Sequence, residues 1–455
     1  MRKSDGLLLL IFLLASCLTT VKPAFSLEGV AENTWTQKAP MQVARSDLGV
    51  AVVNEKIYAI GGRAVTYQDQ TRTVTEEVGT NEEYDPATDT WTFKASMPTP
   101  SSLFAIAVYG GKIYIMGSGK NQVYDPANDT WENKTPMPTA RMGRANVVNG
   151  KIYLMGGYPN TTLIEMYDPE TDTWTTKTPM PTEPAGPSGV IDNKIYVVGS
   201  YFEANSLLDF GDVSRTQIYD TKTDSWSLGS APPEDSFVGS VGVTVGFMAP
   251  KRMYVFSGGG QGNQVYDPEA DSWTYGADDP MTRYGFAVAV VDDVIYVIGG
   301  VYSYDPTPTI PLTEYDLLHP DTVTIYYSDV EAYTPFGYGT VPPVISVASP
   351  ENRNYTSSEV ALNFTVNRHV DWIGYSLDGD ENVSVTGNTS LTGLSVGLHN
   401  VTVYARDEFG NTGASETVVF NVEVPFPVVP VAAASAASVA LIGVGLLVYF
   451  KKRRR

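Results

Sequence analysis

The feature that most constrains this chain is a short phrase that recurs five times with fixed internal spacing. In each copy a Tyr-Asp pair precedes a tryptophan that lies seven positions after the tyrosine, and a second aspartate stands two positions before the tryptophan. The copies begin at Tyr84, Tyr124, Tyr167, Tyr219 and Tyr266 and end at Trp91, Trp131, Trp174, Trp226 and Trp273. Because Asp-Pro and Asp favour tight turns, each copy predicts two strands joined by a turn, with the second aspartate bonded to the turn backbone.

A second phrase alternates with the first. An Ile-Tyr pair followed by two residues and Gly-Gly occurs at Tyr58 and Tyr153, with cognates at Tyr114, Tyr196, Tyr254 and Tyr296. Each follows an apolar run with strand composition. The interval from a tryptophan to the next such tyrosine is 22 or 23 residues, except for Trp226–Tyr254, where it is 28. A period of roughly 40–56 residues with four short strands per unit predicts the blades of a β-propeller.

The double glycine, the Tyr-Asp-Pro phrase and the spaced tryptophan resemble the kelch-repeat family over about residues 31–340. The resemblance implies six blades with strands A (the apolar run), B (Ile-Tyr), C (ending in Tyr-Asp) and D (beginning at the tryptophan). The sixth blade has no tryptophan after Gly300, whereas Trp35 has no blade before it. We therefore expect the strand that contains Trp35, the first after the N-terminal signal segment, to pair with the strand C of the sixth blade at residues 330–335. This pairing closes the ring and removes its free edges.

The interval between the strand B and strand C tyrosines is where the blades differ. It is 10 to 14 residues in three blades, but 26 from Tyr58, 23 from Tyr196 and 37 from Tyr296. Because neighbouring strands run in opposite directions, the B–C and D–A loops lie on one face of the ring, here called the loop face. Variable loops on a rigid frame commonly carry binding residues, so the loop face is the predicted recognition surface.

Nine side chains of the loop face are candidate contacts. The four arginines lie in D–A connections, where they could ring the channel mouth and hold a carboxylate or an acidic sugar. Alternatively, they bond to carbonyls of neighbouring blades. The five aromatic residues lie in the long loops and are candidate anchors, with loop packing as the alternative. The candidates are Arg45, Arg141, Arg144, Arg283, Tyr67, Tyr201, Phe202, Tyr302 and Tyr304.

After about residue 341 the repeat stops, and residues 341–424 read as several short strands separated by turns. The stretch from Gly397 to Asn411 resembles the penultimate strand and turn of prokaryotic immunoglobulin-like modules, although the paired cysteines of that family are absent. The resemblance implies an immunoglobulin-like β-sandwich with Trp372 in its core. The expected fold class is thus all-β: a six-bladed kelch-type β-propeller over residues 27–340, then the sandwich, then one transmembrane helix.

Both ends of the chain carry export and membrane signals. Residues 1–26 have the basic start, apolar run and small residues of a signal peptide. Cys17, the only cysteine, lies within it, and its surroundings also resemble a lipoprotein cleavage box. A linker at 425–430 leads to 20 uncharged residues at 431–450, long enough for a membrane helix. The basic tail at 451–455 places the C-terminus in the cytoplasm.

The predicted location is therefore the cell surface, with a single membrane pass and the N-terminal part outside. The Pro425-Phe-Pro segment, the apolar helix and the basic tail resemble the sorting tails of archaeal surface proteins, although the Pro-Gly-Phe or Pro-Glu-Phe signature of those tails is missing. This indicates a prokaryotic, archaeal-type protein whose helix is retained. Export makes glycosylation possible at the sequons Asn128, Asn133, Asn160, Asn354, Asn363, Asn382, Asn388 and Asn400.

Composition argues against several functions. The formal net charge of −21 opposes nucleic-acid binding, which needs a basic footprint. The three histidines are scattered and the mature chain has no cysteine, so we expect no histidine-ligated metal, no copper site of the galactose oxidase kind and no cofactor. Asp378, Asp380 and Glu381 could bind calcium, with a hairpin turn as the alternative. No catalytic residue is predicted.

Three hypotheses for function follow. The first is a surface binding or adhesion protein whose loop face recognises an extracellular protein or a glycan. The second is a metal-independent carbohydrate-active enzyme that uses arginine, tyrosine and carboxylates at the channel mouth. The third is a passive envelope component. A deep pocket with converging arginine and glutamate would favour the enzyme, a broad surface of exposed aromatic loops would favour binding, and featureless loops would favour the passive role.

Overall fold

The computed structural model describes residues 31–68, 73–159, 162–182, 186–206, 209–234, 239–258, 262–304 and 323–423. Every regular element in these ranges is a β-strand. The predicted signal peptide (1–26), linker (425–430), transmembrane helix (431–450) and tail (451–455) lie outside the described residues. Among the described residues, none forms a helix with the length and apolar character needed to cross a bilayer.

Residues 34–334 contain six four-stranded antiparallel sheets, or blades. Strand β1 (Thr34–Lys38) belongs to blade 6 and is followed by the strands of blade 1, which are β2 (Gly49–Val53), β3 (Lys56–Ile60), β6 (Asn81–Asp85) and β7 (Thr90–Lys94). Between β3 and β6 stands an extra hairpin of β4 (Arg63–Gln68) and β5 (Thr73–Glu77). Blade 2 consists of β8 (Ala105–Tyr109), β9 (Lys112–Gly117), β10 (Lys120–Asp125) and β11 (Thr130–Asn133).

The remaining blades follow the same order. Blade 3 consists of β12 (Met142–Val148), β13 (Lys151–Tyr158), β14 (Ile164–Asp168) and β15 (Thr173–Lys177). Blade 4 consists of β16 (Ser188–Ile191), β17 (Lys194–Ser206), β18 (Asp209–Asp220) and β19 (Ser225–Gly229). Blade 5 consists of β20 (Gly239–Thr244), β21 (Arg252–Ser257), β22 (Asn263–Asp267) and β23 (Ser272–Gly276). Blade 6 adds β24 (Ala287–Val291), β25 (Val294–Ile298) and β28 (Val330–Thr334), with an inserted hairpin of β26 (Val301–Tyr304) and β27 (Val323–Tyr326).

The blades form a closed ring. The first strand of each blade contacts the first strand of the next, in the order β2, β8, β12, β16, β20 and β24, and β24 contacts β2 again. The last blade is completed from the start of the chain, because β1 pairs antiparallel with β28 and places Trp35 opposite Tyr333. The predicted closure of the ring by the first strand is confirmed.

Neighbouring blades are joined by one recurring set of side chains. We call it the blade clamp and define it as the tyrosine of the Tyr-Asp phrase, the acidic or amide residue two before the tryptophan, and the tryptophan. Between blades 6 and 1, Asp89 Oδ1 accepts the Tyr84 hydroxyl at 2.6 Å and the Ala39 N–H at 2.8 Å. The Trp91 Nε1–H donates to the Ala39 carbonyl at 2.8 Å. Both backbone polar groups of one residue in the adjoining blade are therefore satisfied.

The clamp occurs at all six junctions. The other tryptophans donate to the carbonyls of Ala95, Thr135, Thr178, Ser230 and Ala277. At the junction of blades 5 and 6, Asn33 replaces the aspartate and accepts the Tyr333 hydroxyl at 2.7 Å and the Ala277 N–H at 2.6 Å. Trp35 is thus a clamp residue like the other five tryptophans.

The structure corrects the expected role of the second aspartate. The first aspartate of each phrase bonds the turn, as when Asp85 Oδ1 accepts the Ala87 N–H at 2.9 Å. The second aspartate instead reaches the adjoining blade. It adopts a left-handed backbone conformation, with φ of 54° at Asp89, which aspartate and asparagine tolerate better than most residues.

Residues 345–422 form two sheets around one core. The smaller sheet contains β29 (Ile345–Ser349), β31 (Val360–Val366) and β34 (Thr389–Leu391). The larger contains β30 (Asn354–Tyr355), β32 (Trp372–Leu377), β33 (Val383–Val385), β35 (Gly397–Arg406), β36 (Thr412–Ala414) and β37 (Val418–Val422). Leu362 and Leu391 of the first sheet share the buried core with Val403 and Phe420 of the second.

Trp372 does not take the predicted central place in this core. Its side chain is only half buried, and its Nε1–H donates to Ser384 Oγ at 2.8 Å. The ring lies near the guanidinium of Arg406, at 5.9 Å from the ring centroid. Phe420, which is 1% exposed, is the fully buried aromatic residue of this unit.

The long Trp226–Tyr254 interval is explained by an extended turn between β20 and β21. Asp293, in the neighbouring turn of blade 6, holds this turn through four backbone donors. Its carboxylate oxygens accept N–H groups at 2.7 to 3.0 Å from Val245, Phe247, Met248 and Ala249. Asp293 is 1% exposed, so the turn is fixed by one buried carboxylate.

This turn also contacts the two-sheet unit. The Arg368 guanidinium lies 5.1 Å from the centroid of the Phe247 ring and pairs with Asp407 at 3.5 Å. The Met248 carbonyl accepts the Gly339 N–H at 2.8 Å, and the Gly339 carbonyl accepts Asn411 Nδ2–H at 2.7 Å. The extended turn between β20 and β21 of blade 5 therefore forms a contact surface for the two-sheet unit.

We predict that the Asp89→Asn variant will lose part of the acid sensitivity of folding. The Tyr84 hydroxyl, followed by the Ala39 N–H, holds the pKa of Asp89 below its usual value. A lowered carboxyl pKa contributes stability above the unfolded pKa, and this contribution is lost as pH falls through the folded pKa. Asparagine makes the same bonds at Asn33 without titrating. Urea unfolding should show a lower midpoint than wild type at about pH 7 and a smaller difference at about pH 3.

The exposed Asp278→Asn change is the matched control, and its midpoint should follow wild type at both pH values. An Asp89→Asn deficit that is equally large at both pH values would contradict the role assigned to the ionised clamp.

We predict that Asp293→Ala destabilises the protein, because four N–H groups lose their shared acceptor. A loss of about 3 kcal/mol or more in the free energy of unfolding is expected. The neighbouring Asp292→Ala change removes an exposed carboxylate from a backbone that is also left-handed, with φ of 51° against 61° at Asp293, and should cost about 1 kcal/mol. Chemical denaturation measures both variants, and equal losses would refute the role of Asp293.

Candidate functional site

The long insertions lie beside the D–A connections. The N–H and carbonyl of Arg63, at the start of the blade 1 hairpin, bond to Ser46 in the preceding D–A connection at 2.8 and 3.0 Å. Val301, at the start of the blade 6 hairpin, pairs in the same way with Tyr284, with both bonds at 2.8 Å. In blade 4, β17 and β18 form a hairpin of 13 and 12 residues. All three are B–C insertions, and those of blades 1 and 6 are tied directly to D–A segments of the loop face.

Three of the four candidate arginines are buried inside blades and do not reach the mouth of the channel. Arg45 is 0% exposed, and its guanidinium donates to the carbonyls of Gly61 and Thr80 at 2.9 and 2.8 Å. It also pairs with Glu82 at 2.9 Å. Burial lowers the pKa of Arg45 to about 10, although Glu82 opposes the shift. Arg45 stabilises the end of strand β3.

Arg141 and Arg283 do the same work in blades 3 and 6. Arg141 donates to the Gly156 carbonyl at 2.9 Å and pairs with Glu165, and Arg283 pairs with Glu331 and, at 3.1 Å, with Asp279. Both arginines are at most 2% exposed. The structure therefore places Arg45, Arg141 and Arg283 in the interior of the blades, where a ligand on the loop face does not contact them. They bond to backbone carbonyls, as in the alternative interpretation, but these carbonyls belong to the same blade as the partner glutamate and not to a neighbouring blade.

The carboxylate partners reveal a pattern that the sequence analysis missed. The partner always stands two residues before the strand C tyrosine, and it is glutamate only in the three blades that carry the buried arginine. The other three blades have glutamine there. The residues in chain order are Glu82, Gln122, Glu165, Gln217, Gln264 and Glu331.

Both residue types hold the preceding D–A connection. Glu82 Oε2 accepts the Gln42 N–H at 2.7 Å, and Gln122 Oε1 accepts the Thr99 N–H at 3.1 Å. The residue two before the strand C tyrosine is therefore a charged glutamate in the blades that contain a buried arginine and a neutral glutamine in the blades that do not. Comparing the blades by this rule would have identified the three arginines as buried pairs from sequence.

Arg144 is the candidate arginine that faces solvent. It lies in β12, on the ring of first strands, and its side chain is exposed within the channel. Among the described residues it has no carboxylate partner, and its hydrogen bond is a long one of 3.5 Å to the Gly239 carbonyl of blade 5. The surrounding ring desolvates the guanidinium and lowers its pKa from the usual value.

The predicted aromatic contacts divide into three groups. Tyr67 is 54% exposed on the blade 1 hairpin, whereas Tyr302 is half buried in the blade 6 hairpin. The side chains of Tyr201, Phe202 and Tyr304 lie outside the described residues. Further exposed apolar side chains on this face were not predicted. Some of them lie on the inserted hairpins of blades 1 and 6, and the others lie in or beside shorter connections. These further side chains are Val65, Leu103, Met142, Tyr158, Tyr284, Val323 and Ile325.

A cavity of about 460 Å³ opens between blades 2, 3 and 4 on the loop face. Its described lining is mainly apolar, and Arg144 contributes its charged group. The lining includes Leu103, Phe104, Met142, Arg144, Met155, Tyr158 and Val197. A smaller cavity of about 90 Å³ shares Leu103, Phe104 and Arg144 and adds Asp47, Leu48 and Phe286 around the channel mouth. Burial raises the pKa of Asp47 from its usual value, against the bond from Ser46.

The described residues hold no group of three or more histidine, cysteine, aspartate or glutamate side chains arranged to bind a metal ion. At the alternative calcium position, Asp378 accepts the Asn400 N–H at 2.8 Å and pairs with His399 at 2.7 Å. The Asp380 N–H donates to the Leu377 carbonyl at 3.0 Å, as a hairpin turn requires.

Comparison with known proteins identifies kelch sequence in three segments. The Kelch motif matches residues 44–98, 141–181 and 282–310. These segments begin beside Arg45, Arg141 and Arg283, so the best-matching blades are those with the buried arginine. The match supports a kelch-repeat β-propeller.

Individual relatives match over short stretches. An F-box/kelch-repeat protein of Arabidopsis thaliana is 36% identical over 85 residues, covering 19% of this chain and 20% of that protein. The influenza virus NS1A-binding protein homolog of Mus musculus is 44% identical over 79 residues, covering 17% and 11%. Halomucin of Haloquadratum walsbyi is 40% identical over 91 residues, covering 18% and 1%. The chain thus spans a fifth or less of the length of these relatives.

We predict that Glu82→Gln will destabilise the protein by about 3 kcal/mol, because it leaves the buried Arg45 charge unpaired. Combining it with Arg45→Ser, which copies Ser101 at the equivalent position of blade 2, should cost less than the sum of the two single changes. Chemical denaturation gives the free energies of the cycle.

The control is Glu132→Gln, at an exposed pair with Lys112, which should cost less than about 1 kcal/mol. If Glu82→Gln were as mild as the control, or if the double change were additive, the buried pair would not have the role described.

Proposed function

We propose that this chain is a cell-surface binding protein that recognises an extracellular protein or a glycan through the loop face of its propeller. The observation that carries the proposal is the concentration of exposed, bulky apolar side chains on that face, with Tyr158 at 68% and Tyr67 at 54% exposure. Aromatic anchors of this kind supply much of the binding energy at protein interfaces. The kelch relatives support a protein as the partner, and a glycan is the alternative.

The alternatives have less support. A metal-independent carbohydrate-active enzyme would use arginine and carboxylates that converge in a pocket. Three of the four candidate arginines instead form buried ion pairs, each with a glutamate of the same blade. A passive envelope component would have featureless loops, whereas the loop face carries exposed aromatic residues and a cavity of about 460 Å³.

The proposed organisation extends beyond the ring. We assign residues 27–340 to the propeller, 341–424 to an immunoglobulin-like sandwich, 425–430 to a linker and 431–450 to a membrane helix, after a signal peptide at 1–26. The two-sheet core of residues 345–422 supports the sandwich, and the basic tail supports a cytoplasmic C-terminus. The similarity of one segment to halomucin of Haloquadratum walsbyi supports an archaeal-type protein.

Glycosylation of the sandwich is part of the same proposal. The side chains of Asn354, Asn363, Asn382 and Asn388 are exposed, as a glycosyltransferase requires, and Asn400 is half buried. Asn128 and Asn133 are exposed on the propeller, and Asn160 lies outside the described residues. A glycosylated unit between the propeller and the membrane would hold the loop face away from the cell.

The proposal predicts that a triple change of Tyr67, Tyr158 and Tyr284 to serine abolishes ligand capture by the purified full chain. These side chains are 54%, 68% and 42% exposed on the loop face. The matched control changes Phe93, Leu228 and Tyr275 to serine, which are 53%, 55% and 46% exposed on the outer strands β7, β19 and β23. Pull-down from surface extracts and glycan arrays provide the measurement.

The loop-face triple should lose at least about tenfold in affinity for a captured protein or glycan, and the outer-strand triple should retain it. Equal losses in the two triples, or loss in the outer-strand triple alone, would overturn the assignment of the loop face.

A further inference from the structure

The cavity between blades 2, 3 and 4 has the size and chemistry of a small-molecule site. Its volume of about 460 Å³ lies within the range of roughly 300–1,000 Å³ that is usual for small ligands. Phe104, Met155 and Val197 form buried walls, while Leu103 and Met142 stand at the entrance with 47% and 38% exposure. A cavity with a mainly apolar lining favours a ligand with an apolar body.

Arg144 supplies the polar end of the site. The buried arginines of blades 1, 3 and 6 each have a glutamate within the same blade, whereas Arg144 has no carboxylate partner among the described residues. Its long bond to the Gly239 carbonyl satisfies little of its donor capacity. Asp47 lines the adjoining small cavity together with Arg144, and the charge of Arg63 acts on the Asp47 carboxylate.

We propose that this cavity binds a small amphiphilic carboxylate, with an aryl or acyl body between blades 2, 3 and 4 and its carboxylate against the Arg144 guanidinium. A guanidinium offers a fork of N–H donors that matches two carboxylate oxygens. The apolar lining disfavours an acidic sugar, whose hydroxyl groups would lose their bonds to water without replacement. Tyr158 lines this cavity and also belongs to the proposed macromolecular interface. Arg144 and the buried apolar walls are not part of the tyrosine triple, so the inference does not depend on the proposed function.

The test compares 4-phenylbutyrate with its uncharged amide, 4-phenylbutyramide, and with glucuronate, by calorimetry and ligand-observed NMR on the purified full chain. The acid should bind at least about tenfold more tightly than the amide, because only the acid pairs with Arg144, and glucuronate should bind more weakly than either. Arg144→Met should remove the preference for the acid and leave binding of the amide unchanged. Arg353→Met, at an exposed arginine of the two-sheet unit, is the control and should change nothing.

A second pair of variants tests the entrance. Leu103 has a left-handed backbone with φ of 52°, which aspartate and asparagine accept more readily than leucine, so neither substitution should impair folding. Leu103→Asp places a negative charge beside the site and should weaken the acid by at least about fivefold relative to Leu103→Asn, with no such difference for the amide.

Absence of saturable binding of the acid, equal affinity for acid and amide, or an acid preference that survives Arg144→Met would each overturn the proposal. Tighter binding of glucuronate than of 4-phenylbutyrate would overturn the assigned ligand class. These outcomes are read from the small acid and its amide with Tyr158 unchanged, whereas capture of a macromolecule is tested by comparing the loop-face triple with the outer-strand triple.

Discussion

The blade clamp is the interaction on which the rest of the ring depends. Each β-sheet of four strands is too small to be stable alone, and stacking against a neighbour is what buries its faces. The clamp directs that stacking, since the tryptophan and the aspartate or asparagine bind the carbonyl and the N–H of a single residue in the adjoining blade. Such bonds contribute about 1 kcal/mol each, but they repeat around the whole circle. The ring closes because Asn33 and Trp35 bring the same set of groups from the start of the chain to blade 6.

A second repeated contact positions the loop face. The residue two before the strand C tyrosine binds the preceding D–A connection in every blade for which its bond is described here, from Glu82 to Gln264. In three blades it also neutralises an arginine that caps the end of strand B. Buried polar contacts inside the blades therefore fix the D–A connections around the channel mouth. The insertions of blades 1, 4 and 6 differ in length next to these fixed connections. That separation allows loops to change without cost to the ring.

Much of the fold could be predicted because its spacing is local. The seven-residue interval from tyrosine to tryptophan spans one turn and its flanking strands, so it sets the pairing of strands C and D directly. The absence of a tryptophan from the part of the sixth blade after Gly300 and the presence of Trp35 were enough to predict ring closure, which the pairing of β1 with β28 confirms. The candidate site was predicted less well. Position in a D–A connection does not reveal whether an arginine points inward, and Arg45 and Arg144 differ in burial although both lie near the start of a first strand.

The amino-acid pattern was sufficient for the number of blades, the order of strands, the face that carries the insertions and the acidic character of the chain, because each of these follows from residues close together along the chain. Which arginine remains free, and where an apolar cavity opens, depended on three-dimensional packing. Leu103, Arg144 and Val197 belong to blades 2, 3 and 4 and meet only once these blades stack on one another. The contact surface between blade 5 and the two-sheet unit also depends on tertiary packing. The carboxylate of Asp293 in blade 6 accepts four N–H groups from a turn that belongs to blade 5.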